Sequence, residues 1–165
     1  MEVVEGTATT EDVDAFVETL GGIGTEHGVT VQAFDARYVV GRDHLRRAVT
    51  LGDRAIERGE AIARDRAVEI LLYAAGRRQI HRAVEMGLDE GTTPAVVVVD
   101  GSDGGDESAA ADAVDALLDP ADTLGAYDRA RVMDFFDITP TELAATDGTL
   151  VDLVCERVAL LVVER

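Results

Sequence analysis

The sequence has no lysine and no tryptophan, and only one cysteine and three prolines among 165 residues. Each scarcity excludes something. Cys155 cannot form an internal disulfide, which fits a reducing cytoplasm. It lies in an apolar stretch, Leu150 to Val163, with no obvious histidine partner, so it reads as a small buried residue rather than a catalytic thiol. The opening MEVVEGTATTED has neither a basic start nor a long apolar stretch, so it does not read as a signal peptide. The valine-rich run Ala95 to Val99 falls far short of the ~20 residues a membrane helix needs.

What is abundant is acid. Asp and Glu number 33 against 15 arginines, for a net charge of −18. At 47% hydrophobic the chain is no disordered acidic tail, because it has enough apolar surface for a core. Its length fits one domain spanning residues 1–165. Uniform negative charge would repel phosphate, which disfavours a simple basic nucleic-acid binder. An acid-rich, lysine-free surface suits concentrated salt, where charges are screened over roughly 3 Å. On that ground the chain reads as that of an extreme halophile, a haloarchaeon.

The pattern predicts an α+β fold: a small, largely antiparallel sheet of four or five strands surrounded by about seven helices. Expected strands are Glu2–Thr7, Val29–Phe34, a short piece at Tyr38–Val40, a central strand Ala95–Asp100 opened by Pro94, and a terminal strand Val158–Val163. Four consecutive valines flanked by turn residues argue that the central strand is buried on both faces. Expected helices are 11–26, capped by Thr10 and ended or frayed by Gly21, Gly22 and Gly24, then 42–58, 63–75, 78–86, 108–118, 127–136, 141–145 and 150–156. The apolar stripe loses phase at Gly76, which predicts a break between two helices.

Counted by segment, the charge is not uniform. Arg42 to Arg82 holds ten arginines and six acids, so it is net +4 while the other 124 residues are net −22. His44 and His81 lie there too. Such an island points to a polyanionic partner. On a 78–86 helix, Arg78, His81, Arg82 and Glu85 would share one face, with Arg77 just before it. The alternative is a solvated ion network with the abundant carboxylates. Elsewhere GSDGGDES resembles a phosphate loop only superficially, because it lacks the Gly-Lys-Ser/Thr ending and carries Asp103, Asp106 and Glu107; it reads as a turn. His27 beside Gly28 reads as a helix end. No two histidines have metal-ligand spacing, and no nucleophile–base set is visible, so no metal, cofactor or catalytic residue is expected.

The segment ILLYAAGRRQIHRAVEMG, Ile70 to Gly87, resembles the small PRPK-binding subunit of the KEOPS complex, the TPRKB family. The matching positions are Ala75, Gly76, Arg78, Gln79, Ile80 and Ala83. Val39-Val40 followed by a His44-Leu45 helix, and the terminal ERVALLVVE from Glu156 to Glu164, fit the same layout. The resemblance implies a non-catalytic subunit that binds a kinase-like ATPase and recruits tRNA through its 3′ CCA end, for threonylcarbamoyl-adenosine modification next to the anticodon. It carries Arg78 and Gln79 best. Proximity adds Arg77, His81 and Arg82, with support from Arg46 and Arg47, as the expected RNA surface. Ile80 and Ala83 are expected to pack inward. An apolar patch including Val158, Leu160 and Val162 is the expected ATPase contact. Two other classes stay open: a scaffold binding the ATPase without RNA, and a small enzyme that clamps a phosphorylated metabolite with arginine.

Overall fold

The computed structural model describes residues 1–101 and 104–163. Ser102, Asp103, Glu164 and Arg165, which include part of the expected acidic turn and the end of the ERVALLVVE segment, lie outside the described residues. In chain order the elements are β1 (Glu2–Thr10), α1 (Val13–His27), β2 (Thr30–Asp35), a 3₁₀ turn (Ala36–Tyr38), α2 (Arg42–Glu57), α3 (Arg66–Ala75), α4 (Ile80–Ala83) tightening into a 3₁₀ turn (Val84–Met86), β3 (Gly91–Asp100), α5 (Glu107–Asp115), α6 (Arg129–Phe135), α7 (Pro140–Ala145) and α8 (Leu150–Val163).

The fold is α+β, with β3 at the centre of an antiparallel sheet of order β1-β3-β2. The valine strand is buried on both faces. Strand alternation sends Val96 and Val98 into one core with α2, α3, α6 and α8, and Val97 and Val99 into another with α1 and α5. Pro94 sits inside β3 without breaking it. Thr7, opposite Pro94, turns its backbone outward to pair with Asp119, so the proline nitrogen points away from β1. On that other side β2 reaches only as far as Ala95, and no ladder donor is lost.

The sheet has three described strands rather than the four or five expected. Val158–Val163 is not a strand but the second half of α8. Leu150, Leu153, Val154, Val158 and Leu161 are buried at helical spacing, so the helical stripe overrides the β-branched composition. Tyr38–Val40 joins no sheet either. Asp35 caps the 3₁₀ turn, and the Val40 N–H goes to His44 Nδ1 at 3.3 Å instead of to a neighbouring strand. Helix α1 runs through Gly21, Gly22 and Gly24, and it is capped by Asp12, not Thr10. At Gly24 a Cβ would lie 2.7 Å from the Val29 carbonyl oxygen, so this glycine serves the close return of the chain into β2. His27 does close α1, followed by left-handed Gly28.

Candidate RNA and partner interface

The site is built by the end of α3. Gly76 adopts a left-handed conformation (φ 61°). The Arg77 N–H bonds Leu72 O and the Gly76 N–H bonds Tyr73 O, both at 3.1 Å, closing a Schellman turn. The helix therefore stops where the apolar stripe loses phase. A Cβ on Gly76 would lie 3.3 Å from the Arg157 carbonyl oxygen of α8, so the glycine also permits a close crossing. The chain leaves this turn as an exposed loop and re-forms a helix only at Ile80. The expected 78–86 helix is thus a single α-turn plus a 3₁₀ turn, and Arg78 precedes it. Gln79 occupies the cap position without a side-chain cap bond.

Arg78, Gln79, His81 and Arg82 are all exposed, and no carboxylate among the described residues pairs with Arg78 or Arg82. Ala83 packs inward as expected. Ile80 does not: it is 49% exposed and Val84 50%. A one-turn helix buries only one position, and Ala83 takes it.

Arg77 occupies a different setting from its neighbour Arg78. Its guanidinium lies over the Phe135 ring at 5.1 Å, donates to Phe135 O, and approaches Asp137 Oδ2 at 3.7 Å. Arg157 of α8 donates to Phe136 O and Asp137 O, each at 3.2 Å, and to Glu142 at 2.6 Å. Two arginines thus satisfy the carbonyls at the C-terminal end of α6, where a helix favours cations. No sequence spacing reveals this arrangement, because it depends on the distant α6.

Other members of the positive island also serve the fold. Arg66 forms a fork to Asp53 (2.7 and 2.9 Å) and reaches Asp100 at 2.6 Å, joining α2, α3 and the end of β3. The hydrogen bonds to Asp53 raise the pKa of Arg66 despite burial. Burial alone would disfavour the Asp100 carboxylate, but Arg66 and the Met1 ammonium outweigh it and hold its pKa below the usual range. Glu69 is fully buried, and its carboxylate accepts from the backbone N–H groups of Ile62 and Ala63 at 2.8–3.1 Å. His44 is fully buried between the Val40 N–H and the Ala74 carbonyl, with Nε2 2.7 Å from that oxygen. Burial lowers its pKa to about 4. It is a neutral core residue and adds nothing to the surface charge.

Arg46 and Arg47 are exposed on α2. Arg46 pairs with Asp43 at 3.1 Å, and both line a groove of about 430 Å³ with Arg47, Thr50, Leu51, Arg54 and Ala159. They do not share a pocket with Arg78. Helix α8 lies between: Ala159 lines the α2 groove, and Leu160 lines the cleft beside Gly76 and Arg77. Of the three apolar residues expected to meet a partner, Val158 is buried in the core, Val162 is half-buried against it, and Leu160 is exposed. Cys155 is buried, and desolvation raises its pKa away from the reactive thiolate. Among the described residues no cluster of His, Cys, Asp and Glu is arranged to hold a metal ion, and no helix is long and apolar enough to cross a membrane.

A family model described as kinase binding protein CGI-121 matches residues 15–161. No curated protein matches the chain.

Proposed function

The chain belongs to the CGI-121 family of kinase-binding proteins, and from that premise we propose that it is the non-catalytic subunit of a KEOPS complex that docks a kinase-like ATPase and recruits tRNA by its 3′ CCA end. The setting would be the cytoplasm of a haloarchaeon.

The observation that carries the RNA half is the unpaired state of Arg78 and Arg82. In a chain of net charge −18, these two exposed guanidinium groups stand without a carboxylate partner among the described residues, beside exposed Gln79 and His81. A single-stranded end offers phosphates to arginine, and unstacked bases to guanidinium planes, imidazole and amide edges. In concentrated salt, neutralising phosphate contributes little, so stacking and hydrogen bonds must supply most of the affinity. Four different side chains on one short loop and turn suit that demand better than a broad basic groove. Arg77 would support the surface indirectly, by fixing the loop to α6.

The ATPase half draws on the exposed apolar residues Ile80, Val84 and Leu160. Association through apolar contact persists in high salt. Ile80 and Val84 replace Val158 in this role because Val158 is already covered by the core.

The test is co-purification in high KCl with the kinase-like subunit and with tRNA, with and without its CCA end. Arg78→Glu with Arg82→Glu should abolish capture of intact tRNA and leave the kinase complex standing. Ile80→Glu should do the opposite. The exposed Ile80–Val84 pair also supports the scaffold alternative. That alternative is chosen if the arginine reversals release the kinase and wild-type protein captures no tRNA.

A further inference from the structure

Helix α2 presents a second basic surface. Asp43, Arg47, Thr50, Arg54 and Arg58 recur at intervals of four, three, four and four residues, which places them in one exposed stripe. Asp43 is engaged by Arg46, leaving Arg47, Arg54 and Arg58 without an ion pair among the described residues. Among the described residues Arg42, Arg64, Arg78, Arg82 and Arg129 also make no ion pair, so what sets this face apart is that three such arginines align on it. In the same island Arg66 is held in the fold by Asp53 and Asp100, while Arg46 makes only an exposed pair with Asp43.

The stripe lacks what a protein partner would need. Its groove has Leu51 and Ala159 as apolar side chains among Asp43, Arg46, Arg47, Thr50 and Arg54, whereas protein interfaces centre on a core depleted of charge. It also lacks aromatic side chains on which a base could stack. What remains is three arginines whose backbone positions rise about 10 Å and 6 Å along the helix axis. That arrangement suits a line of phosphates. A duplex carries a charge every ~1.7 Å of its length, so phosphates meet such a stripe in any register.

We infer that the exposed face of α2 is a second, sequence-independent contact for the phosphate backbone of the RNA duplex behind the single-stranded end. The inference rests on the RNA-recruiting reading above. Helix α8 adjoins both: Ala159 lines the α2 groove and Leu160 lines the cleft at Gly76 and Arg77, the turn that leads into Arg78. One RNA can span both. The terminal contact then distinguishes the CCA end, and the α2 contact adds affinity that depends on salt.

The experiment measures affinity across a salt series for intact tRNA and for tRNA trimmed of its CCA. Trimmed tRNA should keep a weaker affinity for the wild-type protein. Arg47→Ala with Arg54→Ala should weaken both RNAs roughly tenfold at low salt and reduce the slope of log affinity against log salt by about 2. Arg47→Lys with Arg54→Lys should restore the slope, because a point charge suffices for backbone contact. An unchanged slope in the alanine variant overturns the inference and leaves the terminal contact standing. Equal wild-type affinity for intact and trimmed tRNA, with the slope still reduced by the variant, overturns the terminal contact and supports this one. Loss of kinase capture with unchanged RNA affinity overturns the inference in favour of an acidic protein surface.

Discussion

Arg77 and Arg78 are neighbours in the chain and opposites in the fold. Arg77 is pinned over Phe135 at the end of α6, while Arg78 stands exposed, with no carboxylate partner among the described residues. The same division runs through the whole island. Arg66 is tied to two carboxylates, and Arg47, Arg54, Arg58 and Arg82 are tied to none among the described residues. A net charge of +4 counts the two kinds alike, although only the free arginines can serve a partner without unfolding something. The contrast teaches that in a strongly acidic protein the unpaired arginine is the informative one.

Removing a tied arginine should have the largest effect. Arg66→Ala leaves Asp53 and Asp100 facing each other without their shared cation. Breaking a half-buried, charge-assisted cluster of this kind costs about 3 kcal/mol. Denaturant unfolding should show that loss, while RNA affinity per folded molecule stays at the wild-type value. If Arg66→Ala unfolds no more easily than Arg82→Ala, the division between tied and free arginines collapses.

The histidines repeat the contrast, His44 inside and His81 outside. His44 folds with a pKa of about 4, below its unfolded value near 6.5. The unfolded chain therefore binds the proton more tightly. The stability contributed by neutral His44 is fully present above the unfolded pKa and is lost as pH falls through the folded one. Between pH 7 and 5 the loss is about 2 kcal/mol. Comparing wild type with His44→Gln across that window isolates it from the carboxylates, and the variant should lack this part of the slope.

These cases show where sequence reading succeeds. The valine strand, the break at Gly76 and the apolar faces of α2 and α3 were legible because each follows from a local period or a single glycine. The family resemblance at Ala75–Ala83 was legible because it sits on one contiguous segment. The second half of α8 was not, since a valine-rich stretch suits strand or helix until the core decides. Nor was the fate of each arginine. Arg66 and Arg77 find partners far away in sequence, on β3 and α6. Ile80 was misplaced inward because a helix from 78 to 86 would have buried it, and the single turn that actually forms buries only Ala83.

Gly76 connects the two classes of residue and should show an intermediate effect. Its left-handed backbone disfavours any side chain, and a Cβ there would press on the Arg157 carbonyl. Gly76→Ala should cost about 1 kcal/mol in unfolding experiments. It should also weaken RNA capture, because the turn aims Arg78 and Gln79. A variant that loses stability and keeps full RNA affinity would separate the turn from the interface.

The smallest expected change in stability gives the sharpest comparison. Arg78→Ala and Arg82→Ala remove exposed side chains that contact no carboxylate among the described residues. Surface substitutions away from packed features stay within about 0.5 kcal/mol. In this protein the net effect should be near zero in concentrated salt, where screening leaves little long-range attraction to the acidic surface. A substantial destabilisation would mean that these arginines are tied after all and that the island exists to hold the fold. Unchanged stability combined with lost tRNA capture would mean that selection has kept two unpaired cations on an acidic surface for a partner outside the chain.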